Sequence, residues 1–153
     1  MRFKYFKKMI DPIIAVIFFI ICDRFLKSLA LINAPISQQN ILGDIFQFNL
    51  AKNYNIAFSL PLSGYFLKLI LVIIILGLTY CFIILCINNK YNHAGWLLFV
   101  IFGATSNLVD RIKYGYVIDY FDLKYFTVFN LADVLIIIGI VGLFYLSKKD
   151  YPE

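Results

Sequence analysis

The chain has 153 residues, of which 62% are apolar and 15% charged, with a formal net charge of +5 and a mean hydropathy of +0.84. That length fits one domain, and the apolar excess lies well outside the make-up of water-soluble globular proteins. The basic residues stand singly or at the N-terminus beside apolar runs, so the charge excludes the clustered patch of a nucleic-acid binder.

Arg2, Lys4, Lys7 and Lys8 precede an apolar run from Ile10 to Cys22, the pattern of the front of a signal peptide. Asp23 and Arg24 occupy the place of a cleavage site and apolar residues resume after them, which predicts an uncleaved first transmembrane helix over about 10–30 with its basic end in the cytoplasm. Asp23 and Lys27 are one helical turn apart and read as an i,i+4 pair at the outer membrane face. From Ala34 to Ser63, with Pro35 and Pro61, the apolar runs stop. Phe46, Phe48 and Leu50 alternate there with Gln47, Asn49 and Ala51, the period of strands that lay one apolar face on the bilayer surface or on helix ends. The stretch from Asn53 to Ser59 is rich in hydrogen-bonding side chains, although a turn between strands accounts for two of its asparagines without any function.

Tyr65 to Ile87 is long enough for a second span, and Asn88 to His93 reads as a turn bearing Lys90. The third helix, over about 94–110, contains Gly95, Gly103, Ala104, Thr105 and Ser106, small residues that admit a neighbouring helix. A second outer segment, about 111–127, interleaves Val117, Tyr120 and Phe121 with Asp119, Asp122 and Lys124, and reads as a loop with at most a short strand. The fourth helix, about 128–146, is followed by Lys148 and Lys149. The expectation is therefore an all-α membrane protein of four transmembrane helices with both termini in the cytoplasm. The basic N-terminus, the Lys90 turn and the Lys148-Lys149 end set that orientation.

Inside the second half one phrase occurs twice: Asn107-Leu108-Val109-Asp110 and Asn130-Leu131-Ala132-Asp133. In each, the Asn precedes the Asp by three residues, so both polar groups share a helical face. With one helix running outward and the next inward, Asp110 and Asp133 are expected to face each other near the outer surface and to share a proton. The helix dipoles favour ionised Asp133 as the base and protonated Asp110 as the acid. Arg111 beside Asp110 is placed to brace the loop or hold a lipid phosphate. The plainer reading of the same residues is that Asn130 N-caps the fourth helix and that Asp110-Arg111 is a solvated helix end. Cys22, Cys81 and Cys86 fall in apolar runs without CxxC spacing and His93 stands alone, so no thiol or metal site is expected. Two rivals also use membrane-face aspartates: a lipid phosphotransferase holding Mg²⁺, which needs several clustered carboxylates, and a proton-coupled carrier, which needs acids at mid-span.

Four blocks, Asp23 to Lys27 (DRFLK), Asn53 to Ser59 (NYNIAFS), Gly103 to Asp119 (GATSNLVDRIKYGYVID) and Phe129 to Gly139 (FNLADVLIIIG), resemble the bacterial lipoprotein signal peptidases, or signal peptidase II, over nearly the whole chain. The resemblance implies Asp110 and Asp133 as a catalytic aspartyl dyad, with Asn53, Asn107, Arg111 and Asn130 lining the site and Asp23 and Lys27 supporting it. It further implies a small extracytoplasmic β-cradle beside the four helices and a short mobile helix over the site. The enzyme it implies is a metal-free, cofactor-free monomer in the bacterial cytoplasmic (inner) membrane. Such an enzyme cleaves the signal peptide of a prolipoprotein before a diacylglyceryl-modified Cys, at the outer face. Asn55, Ala104 and Ser106 depart from the glycines usual in that family; Ala104 and Ser106 remain small, and Asn tolerates positive φ better than most residues.

Overall fold

A computed structural model describes residues 2–33, 39–54 and 64–150. In chain order the elements are α1 (Arg2–Asn33), β1 (Gln39–Leu42), β2 (Phe46–Asn53), α2 (Gly64–Ile87), α3 (Tyr91–Lys113), β3 (Val117–Leu123), β4 (Val128–Phe129) and α4 (Leu131–Asp150). The molecule is thus mostly helical with one four-stranded sheet in the order β1-β2-β3-β4, every neighbouring pair antiparallel. Pro35, Pro61 and Asn55 to Ser59 lie outside the described residues.

Two helices, Gly64–Ile87 and Leu131–Asp150, are long and apolar enough to cross a membrane. α1 and α3 have the length, but charged residues interrupt them: Asp23, Arg24 and Lys27 in the first, Asp110 and Arg111 in the second. Large apolar side chains are exposed all round the helices, among them Ile14, Phe18, Phe66, Leu76, Ile137 and Phe144. Apolar surface on that scale is stable against lipid and not against water. Two threonines inside helices satisfy their hydroxyls locally, Thr79 donating to the Ile75 carbonyl and Thr105 to the Ile101 carbonyl, as a lipid-facing helix requires.

Glycines set how closely α3 and α4 approach. A Cβ on Gly103 would lie 2.6 Å from the Ala132 carbonyl oxygen and 2.8 Å from Ile136 Cγ1, and one on Gly139 would lie 2.6 Å from Val100 Cγ2. Gly142 makes room for the Trp96 ring in the same way. Small residues at such a crossing replace the hydrophobic driving force that lipid does not supply. On the other side of α3, Gly95 accepts the ring of Pro12 from α1, and Val16, Leu98, Phe99 and Leu135 close a core between α1, α3 and α4.

The segment over 111–127 is more ordered than the sequence pattern indicates. α3 continues past Asp110 to Lys113 and ends where Gly115, at φ +84, donates its amide to the Arg111 carbonyl, the left-handed residue that stops a helix. The chain then turns back as β3, a seven-residue strand at the middle of the sheet rather than a loop. Its run Val117-Ile118-Asp119-Tyr120 is wholly buried, so the polar-out alternation that would announce a strand is missing. Phe48, Leu50, Ile118, Tyr120 and Phe121 pack on Leu26, Ala30 and Leu31 of α1, which seats the sheet on one end of the bundle.

Replacing Gly103 with Leu puts side-chain atoms into the Ala132 backbone, where nothing flexible can yield. The expected cost is at least ~1–3 kcal/mol, the usual price of overpacking, read as a lower thermal midpoint in detergent, whereas Gly77→Leu, at a glycine with open space around it, leaves the midpoint unchanged.

Candidate active site

The site grows from the N-terminus of α4. A helix start leaves backbone amides without partners, and here three of them are met by side chains from three places. Leu131 N donates to Tyr120 Oη of β3 at 3.0 Å, Ala132 N to Asp23 Oδ1 of α1 at 3.3 Å, and Asp133 N to Asn130 Oδ1 at 2.9 Å. Asn130 N returns a bond to Asp133 Oδ2 at 3.2 Å, so Asn130 and Asp133 form a reciprocal capping box. The capping role foreseen for Asn130 is therefore present, and its side chain does more. Asn130 Nδ2 donates to Asp119 Oδ1 at 2.6 Å and to Asn107 Oδ1 at 3.1 Å.

Asn107 Nδ2 donates to Asp133 Oδ1 at 2.7 Å. The close crossing at Gly103, one turn earlier on α3, is what brings Asn107 within reach of the first turn of α4. Asn53, at the end of β2, donates from Nδ2 to Asp119 Oδ2 at 3.0 Å. That contact follows from the register, since Ala51 pairs with Asp119 and Asn53 with Val117, which makes Asn53 and Asp119 diagonal neighbours. Arg111 lies beside the same group, donating to the Asn107 carbonyl at 3.5 Å, and its charge acts on Asp119, Asp133 and Asp110.

Asp110 is placed elsewhere. Its Oδ1 accepts from Arg24 Nη1 at 2.8 Å, and its Oδ2 meets Lys27 Nζ at 2.7 Å and the Ile118 amide at 3.4 Å. Asp23 is held likewise, by Arg24 Nη2 and Lys27 Nζ at 3.1 Å each and by the Ser106 hydroxyl at 2.6 Å. The expected face-to-face placement of Asp110 and Asp133 is corrected accordingly. α3 runs on past Asp110, so Asp110 turns toward α1 and its two cations, and Asn107 is the α3 residue that meets Asp133. The carboxylate that shares Asn130 with Asp133 is Asp119. The i,i+4 pairing of Asp23 with Lys27 is present, and both side chains are buried, at 0% and 2% exposure.

Asp119 is 2% exposed, while Asp133 is partly open. Burial first, and then the charge of Asp133, push the Asp119 carboxyl up to about 6, against the hydrogen bonds from Asn53 and Asn130 and the charge of Lys27. Burial also raises the Tyr120 phenol, keeping it a neutral donor to Asp23 Oδ1 at 3.1 Å. Four residues of this assembly escaped the sequence reading as site members: Arg24, Ser106, Asp119 and Tyr120. Arg24 carried a signal, standing with Asp23 and Lys27 in a charged group set between apolar runs. Among the described residues no group of three or more His, Cys, Asp and Glu side chains is placed to hold a metal ion.

A carboxylate cluster at one end of a mostly apolar helical bundle, roofed by a small sheet, defines a membrane enzyme. Two solved structures described as bacterial membrane enzymes share the architecture, with TM-scores of 0.79 and 0.77 at 25% identity, each over 92% of this chain and over 88% and 94% of their own. The family model described as signal peptidase (SPase) II matches residues 14–148. The lipoprotein signal peptidase of Caldanaerobacter subterraneus subsp. tengcongensis is 36% identical over 88% of this chain and 93% of its own length. That of Caldicellulosiruptor bescii is 40% identical over 76% and 77%. The chain belongs to the signal peptidase II family and is a peptidase.

Lys27 is the cation shared by Asp23, Asp110 and, through a 3.1 Å bond to Oδ1, Asn107. Lys27→Met leaves the two buried carboxylates with Arg24 alone, and removing one member of a buried ionic group costs ~3–5 kcal/mol. A large drop in the thermal midpoint is expected; a midpoint within a degree or two of wild type would show that the cluster does not hold the fold.

Proposed function

We propose that this peptidase removes signal peptides from diacylglyceryl-modified prolipoproteins, cleaving before the lipidated Cys with Asp119 and Asp133 as its reacting pair. The observation that carries the pair is Asn130, whose one side chain and amide touch both carboxylates. The substrate class is supported by the family and by the relatives' activity as lipoprotein signal peptidases. In this reading α1, α2, α3 and α4 all cross the bacterial cytoplasmic membrane, the termini lie in the cytoplasm, and the sheet roofs the site at the outer face. The enzyme acts as a monomer surrounded by lipid, without metal or cofactor.

Two carboxylates at close quarters favour a state in which one holds a proton. Asp133 receives the Asn130 amide and Asn107 Nδ2 at a helix N-terminus, surroundings that suit an anion, and it is partly open, so water can reach it. It is the base. Asp119, pushed up to about 6 and sealed by Asn53 and Asn130, is the acid. As water attacks the scissile carbonyl carbon, Asp133 takes the water proton and Asp119 gives its proton to the carbonyl oxygen, leaving a neutral tetrahedral diol. Collapse returns a hydroxyl proton to Asp119 and passes the proton on Asp133 to the departing amine, which restores both carboxyls. Asp110 has both carboxylate oxygens engaged between helices, Oδ1 with Arg24 and Oδ2 with Lys27. Its part is to hold α3 against α1.

The test is cleavage of a diacylglyceryl-modified prolipoprotein by the purified protein in detergent with EDTA present. Asp119→Asn and Asp133→Asn are each expected to lower kcat by at least ~10³-fold, comparable with losing an essential acid or base, with thermal midpoints near that of wild type. Asp110→Asn is expected to lower the midpoint while the folded fraction still cleaves. Full activity in Asp119→Asn would sink the pair.

The raised carboxyl also fixes a pH dependence of stability. Asp119 binds its proton more tightly folded than unfolded, so between the ordinary 3.8 and about 6 the folded protein holds more protons than the unfolded chain. Its contribution to stability is therefore greatest below that window and falls as pH rises through it. Over the same window Asp119→Asn is expected to flatten the dependence of the thermal midpoint on pH.

A further inference from the structure

Arg24 is the partly exposed cation of the cluster. It leaves α1 with 35% of its side chain exposed and spreads its fork across two helices: Nη1 to Asp110 Oδ1 at 2.8 Å, Nη2 to Asp23 Oδ2 at 3.1 Å and to Ser106 Oγ at 2.6 Å. Ser106 passes the contact on by donating to Asp23 Oδ2 at 2.6 Å. Asp23 in turn receives the Ala132 amide beside Asp133, and Lys27, lying between the same two carboxylates, donates to Asn107, which donates to Asp133. Two routes from Arg24, one through Asp23 and one through Lys27 and Asn107, reach the first turn of α4.

We propose that Arg24 is a positioning residue for the reaction: its two-pronged contact sets the distance between α1 and α3 and completes the charge balance of Asp23 and Asp110 against Lys27. This deepens the reading of Asp119 and Asp133 as the reacting pair and rests on it. With Arg24 present the cluster holds two carboxylates and two cations. Without it, one negative charge is left uncompensated beside the pair. The charged and titratable groups around that pair are Asp23 and Lys27 from α1, Asp110 and Arg111 from α3, and Tyr120 from β3; β2 contributes the neutral Asn53. An added net negative charge makes both members hold their protons more tightly.

The experiment measures kcat and KM against pH on a diacylglyceryl-modified prolipoprotein in detergent, for wild type, Arg24→Gln and Arg24→Lys. Arg24→Gln is expected to lower kcat about tenfold, leave KM within about twofold, and move the pH–rate profile up by about half a unit, the size left to one charge after solvent screening. Arg24→Lys keeps the charge but reaches only one carboxylate at a time, so the profile stays in place while kcat falls severalfold. Wild-type kcat in Arg24→Lys would overturn the role of the fork, and an unmoved profile in Arg24→Gln would overturn the role of the charge. A change confined to KM would make Arg24 a substrate contact and overturn both. Should Arg24→Gln not fold, Arg24→Lys decides by its kcat alone. Full activity in Asp119→Asn, by contrast, defeats the underlying pair whatever Arg24 does.

Discussion

The structure turns on the unpaired amides at the start of α4. In water they would be solvated; at the end of a bundle whose surface is apolar they must be met from within. The three acceptors come from Tyr120 on β3, Asp23 on α1 and Asn130 just ahead of the helix. Satisfying one helix end therefore ties the sheet, the first helix and the fourth helix into a single arrangement. Asp133 gains its place as a by-product, because a carboxyl three residues into a helix capped by Asn130 completes a capping box.

A second constraint is charge. Asp23, Asp110 and Lys27 are buried and Arg24 is partly so, and such a group is costly to desolvate even when every partner is present. What the cluster confers is registry, since each carboxylate oxygen has an assigned donor and a slip of α1 against α3 by one residue leaves several of them unmet. The glycine crossing of α3 and α4 complements it from the other side. α3 is thus held by ionic contacts toward α1 and by close packing toward α4, and Asn107 sits on it where the two meet.

The helices were legible in the sequence because long apolar runs admit few alternatives, and the close approach of another helix to α3 was legible in its small residues. The pairing of carboxylates was not. Asn107-to-Asp110 and Asn130-to-Asp133 look alike, and treating them as equivalent placed Asp110 opposite Asp133. What breaks the likeness is nonlocal. α3 runs three residues beyond Asp110, and Lys27, eighty-odd residues earlier in the chain, captures it. Asp119 was hidden for a related reason: a strand buried on both faces carries no alternation, and its partner β2 lies more than sixty residues away. Asn53, Asn107, Asn130 and Arg111 all stand at the cluster; the register that joins Asn53 to Asp119 could be known only from the folded sheet.

α2 stands apart from all of this. It packs against α3, only Leu67 on it is buried, and no side chain of the cluster comes from it. Selection on such a helix acts on length and greasiness and scarcely on identity, since one lipid-facing aliphatic residue serves as well as another. Over evolutionary time α2 should drift fastest among the helices, its order scrambling while its hydropathy holds, whereas the buried positions of α1, α3 and the start of α4 stay fixed. The pattern of variation across relatives would then trace the boundary between the membrane anchor and the machine it anchors.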